Sequence, residues 1–143
     1  MTFHHLTIKQ VTKVTSQAVE ILFEIPEKLA SDFVYKAGQY LTLKAMIDGN
    51  EVRRAYSLSS APHETDLKVV IKAVEKGVFS NYAMTLRAGD KIEVAAPDGL
   101  FIHEKSHTAQ NYLMIAAGSG ITPITSIIKD VLTNEPDSKV ALI

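Results

Sequence analysis

Three stretches of the chain carry residue types suited to a flat, phosphorylated ligand. They are Ala37-Gly38-Gln39-Tyr40 with Arg54-Ala55-Tyr56-Ser57, then Lys76-Gly77-Val78-Phe79-Ser80-Asn81, then Ala117-Gly118-Ser119-Gly120-Ile121-Thr122-Pro123. A pyrophosphate needs a fixed cation and several backbone N–H donors, and a planar ring needs an aromatic or aliphatic wall. Arg54, the Gly77–Ser80 turn and Tyr56 are residues of those kinds. On an extended strand Arg54 and Tyr56 share a face while Ser57 turns away, so Ser57 is expected to act partly through its backbone N–H.

Each stretch has an ordinary reading beside the chemical one. An isolated Arg-x-Tyr-Ser is more often a surface cross-strand pair. Gly77 precedes a helix whose first N–H groups lack partners, which is either an anion site or a plain helix start. The third stretch lacks the three spaced glycines of the full dinucleotide fingerprint and reads equally as a tight turn, although a strand before it and a helix after it favour a phosphate loop. His4 and His5 would point to opposite faces of a strand, and His63, His103 and His107 have no carboxylate at ligand spacing, so no metal site is expected. No serine sits in a nucleophile-elbow pattern.

The elements that must position these residues follow from the pattern. From His5 to about Pro97 the chain alternates apolar and polar residues in short runs: Leu6–Thr15, Ala18–Ile25, Tyr40–Ile47, Val52–Leu58, Leu67–Val74 and Lys91–Ala95. Turn residues separate them, among them Pro26, Gly38, Asp48-Gly49-Asn50, Pro62 and Gly89. Six such runs predict a small antiparallel barrel. Ser80–Leu86 breaks the pattern with helical spacing behind a capping serine, which predicts one short helix plugging the barrel.

After Pro97 the grammar changes. Glu104–Asn111 is polar, Tyr112–Ala117 is a continuous apolar run expected to be covered on both faces, a helix is expected from Pro123 to Leu132, and Lys139–Ile143 reads as another strand. The expected domains are therefore 1–107 and 108–143. The fold class is mainly β, a six-stranded antiparallel barrel with one short helix, followed by the first strand–helix–strand of a truncated α/β nucleotide-binding domain.

Composition narrows the partners. The chain has 143 residues, 46% hydrophobic and 22% charged, with 15 Lys+Arg against 16 Asp+Glu and a formal net charge of −1. That balance gives no broad field for nucleic acid. The absence of cysteine excludes disulfides, thiolate-bound zinc and an iron–sulfur cluster held by these residues. No apolar stretch approaches the ~20 residues of a membrane span, and the start lacks a targeting pattern. A cytoplasmic protein with neither nucleic acid nor membrane as partner is expected.

Taken in order, Gly38-Gln39-Tyr40, Arg54-Ala55-Tyr56-Ser57, Gly77-Val78-Phe79-Ser80 and Gly118-Ser119-Gly120-Ile121-Thr122-Pro123 resemble the ferredoxin–NADP reductase superfamily. The segments Phe3–Gly49, Val70–Glu75 and Ile115–Gly120 look like its phenylacetyl-CoA epoxidase reductase subgroup. The resemblance implies a flavin-binding barrel in which Arg54 pairs with the FAD pyrophosphate, Tyr56 packs on the isoalloxazine ring and Ser57 hydrogen-bonds its reactive nitrogen. Tyr56 and Ser57 are then the catalytic candidates. It also implies that Ala55, Ile71, Lys72 and Val74 border the cofactor, that Gly77, Val78, Phe79 and Ser80 hold the pyrophosphate, and that Gly118, Ser119, Gly120 and Thr122 receive the nicotinamide nucleotide.

The implied reaction is hydride transfer from NAD(P)H to FAD, then electron transfer to an iron–sulfur domain or oxygenase component that serves an oxygenase or epoxidase. Proteins of this kind continue through a whole nucleotide-binding domain, so a fragment that retains FAD binding is expected here. Two alternatives stay open at this point: an FMN-binding oxygenase reductase, and a flavin-free barrel acting as a binding module.

Overall fold

Alternating apolar side chains, cut by turn residues, fold the first part of the chain into six antiparallel strands. The computed structural model describes residues 1–143. The strands are β1 (Phe3–Thr15), β2 (Ala18–Glu24), β3 (Tyr40–Ile47), β4 (Asn50–Ser57), β5 (Leu67–Lys72) and β6 (Lys91–Ala95), paired in the order β4-β3-β6-β1-β2-β5. The two ends of this sheet meet. Leu58 bridges Val69, and the Ser59 N–H donates to the Lys68 carbonyl at 3.0 Å, so the sheet curls into a nearly closed barrel.

Inside lie Leu6, Ile8, Ile21, Leu41, Leu43, Leu58, Val69, Ile71 and Val94, all fully buried. The helix α1 (Val78–Ala83) sets Phe79 and Ala83 into the same core. Between β3 and β4, Asp48 and Gly49 take positive φ values of 49° and 77°, the geometry an Asp-Gly hairpin turn requires.

Several boundaries differ from the sequence expectation, each for a local reason. Strand β1 begins at Phe3 rather than Leu6, because Phe3, His4 and His5 pair with Ala95, Val94 and Glu93. His4 packs edge-on against Phe33, with ring centroids 5.9 Å apart, while His5 is exposed on the other face. A 3-10 segment, Glu27–Phe33, occupies the expected simple turn and buries Phe33. Helix α1 starts two residues before Ser80, whose hydroxyl accepts from the Val74 N–H at 3.2 Å and donates to the Gly77 carbonyl at 3.4 Å. It therefore pins the preceding turn instead of capping a helix.

The second unit comprises β7 (Asn111–Met114), a 3-10 turn Gly118–Gly120, α2 (Ile121–Asn134) and β8 (Lys139–Leu142). Strands β7 and β8 are parallel, with Asn111 opposite Lys139. Helix α2 begins before Pro123, which fits because that proline lies in the first turn, where its N–H would have no partner. Tyr112, Met114 and Val140 pack with Ile127, Val131 and Ala37. Only that face of β7 is covered. Leu113 and Ile115 are 60% and 71% exposed, because no element of the chain lies over them.

Two constraints fix the linker between the barrel and this unit. Gly38 has φ +99°, and a Cβ there would collide with the Phe101 carbonyl. At the end of α2, the buried Glu135 carboxylate accepts from the Ser106 N–H, the Tyr112 hydroxyl and the Ser138 hydroxyl at 2.8, 2.8 and 2.9 Å, and lies 2.8 Å from His103 Nε2. Burial pushes its pKa up, but these partners outweigh burial and hold it at about 2.

Gly38→Ala is expected to destabilise the protein by at least ~2 kcal/mol, because strain and a backbone clash add, whereas Gly49→Ala, which meets no atom, costs only about 1 kcal/mol for its positive φ. Urea titration of both variants measures this. For Glu135, the folded pKa lies below the ordinary 4.5, so its contribution is complete above about 4.5 and disappears as pH falls toward about 2. Melting curves of the wild type and Glu135→Gln should be well separated at neutral pH and converge across that window.

Candidate functional site

Strand β4 presents Arg54, Ala55 and Tyr56 to a cleft of about 520 Å³. Strand β5 adds Val70 and Lys72, the following turn and α1 add Val74, Lys76 and Gly77 to Ser80, and Ser119 closes it from the second unit. A part of each sequence stretch therefore reaches one cleft, while Ala37, Gly38, Gln39 and Tyr40 do not line it. The convergence follows from the seam at Leu58 and Val69, which sets the end of β4 beside β5.

Strand parity sorts the candidates on β5. Val69 and Ile71 point into the core and are fully buried, so the cleft takes the side chains of Val70 and Lys72 instead. Ile71, expected at the site, supports it only from beneath. Ser57 is half-buried at the end of β4, pairs with Tyr40 through the backbone, and is not among the residues lining the cleft. That agrees with its expected turn away from Arg54 and Tyr56.

The aromatic wall is built in layers. The Tyr56 ring lies 5.7 Å from that of Phe79, tilted by 41°, and Phe79 in turn meets Tyr82 edge-on at 6.0 Å. Because Phe79 is almost completely buried, the floor under Tyr56 is fixed by core packing. Burial raises the Tyr56 hydroxyl pKa, and the Arg54 charge pulls it partly back.

The turn before α1 is braced from its own side chains. Asn81 Nδ2 donates to the Gly77 and Val74 carbonyls at 2.6 and 3.0 Å, alongside the two Ser80 bonds described above. The N–H groups of Val78, Phe79 and Ser80 find no acceptor in the chain. Gly77 has no room for a Cβ, which would strike Ser80 Oγ and Val74.

Charge in the cleft is one-sided. Arg54, Lys72 and Lys76 line it, no Asp or Glu does, and none of the three is in an ion pair. Val70 lies outside the three sequence stretches, and Lys76 opens the second of them with no role assigned to it there. The alternation of β5 is the signal for Val70, and the position before Gly77 is the signal for Lys76.

Of the four glycine-loop candidates only Ser119 lines the cleft; Gly118, Gly120 and Thr122 do not. The Thr122 hydroxyl donates to the Ser119 carbonyl at 2.9 Å and fixes the turn, while the Gly118 and Ser119 N–H groups have no acceptor. Cations, free N–H groups and an aromatic wall together fit a flavin dinucleotide. No group of three or more His, Asp or Glu side chains is placed to hold a metal, and no helix is long and apolar enough to cross a membrane.

Residues 5–103 match the family model of the oxidoreductase FAD-binding domain. The chain is 44% identical to one of the subunits of the 1,2-phenylacetyl-CoA epoxidase of Escherichia coli (strain K12), over 99% of this chain and 40% of that protein. It is 37% identical to the ferredoxin reductase component of the Rhodococcus rhodochrous 3-ketosteroid-9-alpha-monooxygenase, over 96% of this chain and 39% of that protein. The chain thus spans about two fifths of the length of these curated relatives.

Among solved structures, a ferredoxin NADP+ reductase from Neisseria gonorrhoeae with bound FAD and NADP superposes with a TM-score of 0.81 at 23% identity, covering 99% of this chain and 57% of that one. A flavohemoglobin from Malassezia yamatoensis with bound FAD and heme gives 0.85 at 23% identity, covering 99% and 37%. The fold is shared with both.

Arg54→Met tests the electrostatics of the cleft. Removing a nearby positive charge takes away the influence that lowers the Tyr56 pKa, so ultraviolet titration should show one tyrosine moving to higher pH. An unchanged titration would place the Arg54 guanidinium away from that hydroxyl.

Proposed function

The chain belongs to the oxidoreductase FAD-binding domain family, and from that premise we propose that it binds FAD in the Arg54–Tyr56–Ser80 cleft as part of an NAD(P)H-dependent flavin reductase. The observation that carries this reading is the convergence of Arg54, Tyr56, the Gly77–Ser80 turn and Ser119 on a single cleft without an acidic residue. Residues 1–107 form the flavin domain, and residues 108–143 form a strand–helix–strand unit of an NAD(P)-binding domain.

The roles follow from the chemistry of each group. Arg54 offers a planar fork to the pyrophosphate, and the Val78, Phe79 and Ser80 N–H groups donate to its oxygens. Lys72 and Lys76 add charge without a fixed geometry. Tyr56 packs against the ring and excludes water from that face. Ser57, whose side chain turns from the cleft wall, serves the ring nitrogen through its backbone N–H. Ala55 and Val74 border the cofactor. Ser119, Gly118, Gly120 and Thr122 form the turn that receives the nicotinamide nucleotide.

When bound, FAD supplies the capacity to take a hydride from NAD(P)H and to release electrons singly. The work of this chain is placement, since no side chain here is needed as a general base. One relative is named as part of an epoxidase and another as the ferredoxin reductase component of a monooxygenase. Both names support a place in an oxygenase system, and the second, a ferredoxin reductase component, supports an iron–sulfur group as the acceptor of its electrons.

Purified protein should be yellow with a flavin spectrum, and mass spectrometry of the released cofactor should give FAD rather than FMN. A colourless protein that takes up no flavin sinks the reading. Arg54→Ala should weaken FAD by roughly tenfold to a hundredfold through loss of a charge-assisted bond, and Ser57→Ala by no more than about tenfold. Fluorescence titration with FAD compares them, and equal dissociation constants would contradict the assigned roles.

A further inference from the structure

Away from the cleft, a group of polar contacts joins α2 to the barrel, and nothing in FAD binding requires them. Ser126 lies on the buried face of α2, fully shielded from solvent, and its hydroxyl donates to the Ser60 carbonyl at 2.6 Å. A helical serine can satisfy its hydroxyl on its own helix, as Thr125 does by donating to the Ile121 carbonyl at 2.8 Å. Ser126 instead directs its bond to the barrel. One turn further on, Lys129 Nζ lies 3.0 Å from Glu64 Oε1 and 3.4 Å from the Ser59 carbonyl.

The barrel end of this contact is rigid. Ser60 is fully buried, and its hydroxyl accepts from the Tyr35 hydroxyl at 2.8 Å and from the Lys68 N–H at 3.1 Å. Glu64 is held in turn by the Ala61 N–H at 2.8 Å. Ser60 therefore belongs to the seam that closes the sheet, three residues beyond Ser57.

The other end acts as a lever. Ser119 precedes Ser126 along the same helical rod, roughly 10 Å away at a rise of 1.5 Å per residue. A tilt of about 10° at Ser126 would shift Ser119 by roughly 2 Å, enough to break a hydrogen bond at the loop. Ser119 is the only residue of the second unit on the cleft wall.

We propose that Ser126 and Lys129 are positioning residues, whose bonds to Ser60 and Glu64 set the angle of α2 and so hold the Gly118–Thr122 turn against the cofactor cleft. This inference rests on the FAD reading above. It assigns the two residues a role in how the nucleotide turn meets the flavin site, through the helix and without contact with either ligand.

Hydrogen exchange on the whole chain, with and without FAD, tests it. In the wild type FAD should slow exchange in the Gly118–Thr122 turn. In Ser126→Ala and in Lys129→Glu that FAD-dependent protection should fall roughly tenfold, the weight of one net hydrogen bond. The FAD dissociation constant should stay within about threefold, because its barrel donors are untouched. The exchanged pair Lys129→Glu with Glu64→Lys should recover part of the protection through the ion pair alone, because the bonds to the Ser59 carbonyl and from the Ala61 N–H are lost in it. Both of its side chains are partly exposed, so the pair also decides the matter if Ser126→Ala does not fold.

A contact that merely adds stability would lower the melting temperature and leave the FAD-dependent protection of the turn unchanged. That result, or a charge-exchanged pair that recovers nothing, overturns the proposal while FAD binding stands. A wild type that binds no FAD overturns the cofactor reading itself, and the positioning role with it.

Discussion

Leu58 pairs with Val69 where the two ends of the sheet meet, and the position of that seam decides which side chains reach the cleft. It lays the end of β4, with Arg54 and Tyr56, alongside β5, with Val70 and Lys72. Because side chains alternate along a strand, a slip of one residue would send Ile71 outward and bury Lys72. The apolar core enforces the register. Leu58, Val69 and Ile71 are fully buried, and no arrangement that exposes them keeps that burial, worth on the order of 1.5–3 kcal/mol for each side chain. The binding chemistry thus depends on hydrophobic packing one residue away from it.

The second unit attaches in a different way. Its apolar contact with the barrel side is small, Ala37 with Ile127 and Val131, and the remaining ties are directional: Ser126 to Ser60, Lys129 to Glu64, Thr133 to His63, and the Glu135 carboxylate to His103 and the Ser106 N–H. Hydrogen bonds add little net stability but fix angle and distance tightly. A unit whose loop must face a cleft needs that kind of attachment more than it needs area. Gly38 fixes the linker between the units, since only a residue without a Cβ lets the Phe101 carbonyl approach the segment that leads into β3.

Much of this is legible in the sequence, and the failures are instructive. Tyr40–Ile47 and Lys91–Ala95 can be read to their ends, because each alternates cleanly and is bounded by a turn signal. The start of β1 is hidden by His4 and His5, polar residues whose partners Val94 and Glu93 lie far along the chain. Ser80 looks like a helix cap in sequence, and only the fold reveals that the Val74 N–H claims its oxygen. The motif residues Arg54, Tyr56 and Gly77 to Ser80 stand out because their types are distinctive. Val70 does not, because its type is common, Lys76 opens a motif without a role assigned to it, and the resemblance puts Ile71 beside Lys72 at the site where parity puts Val70. The unbroken apolar run at Tyr112 implies cover on both faces, a matter that depends on which elements are present and not on the run itself.

Lys76 shows how local geometry and charge work together in the cleft. It has φ +58°, a conformation that costs a side chain-bearing residue about 1–2 kcal/mol. The turn keeps it there because the Ser80 hydroxyl and the Asn81 amide both tie Val74 to Gly77 across it, and these bonds together exceed the strain. The result brings a third cation to a cleft that already holds Arg54 and Lys72, on a chain whose formal net charge is −1. With overall charge so near zero, attraction for a phosphorylated ligand must be generated within about one Debye length of the site, roughly 8 Å at physiological salt. An acidic residue in the lining would cancel much of it, and none is present. Arg54 alone offers a rigid fork, so it sets orientation, whereas the two lysines supply field strength that salt can screen.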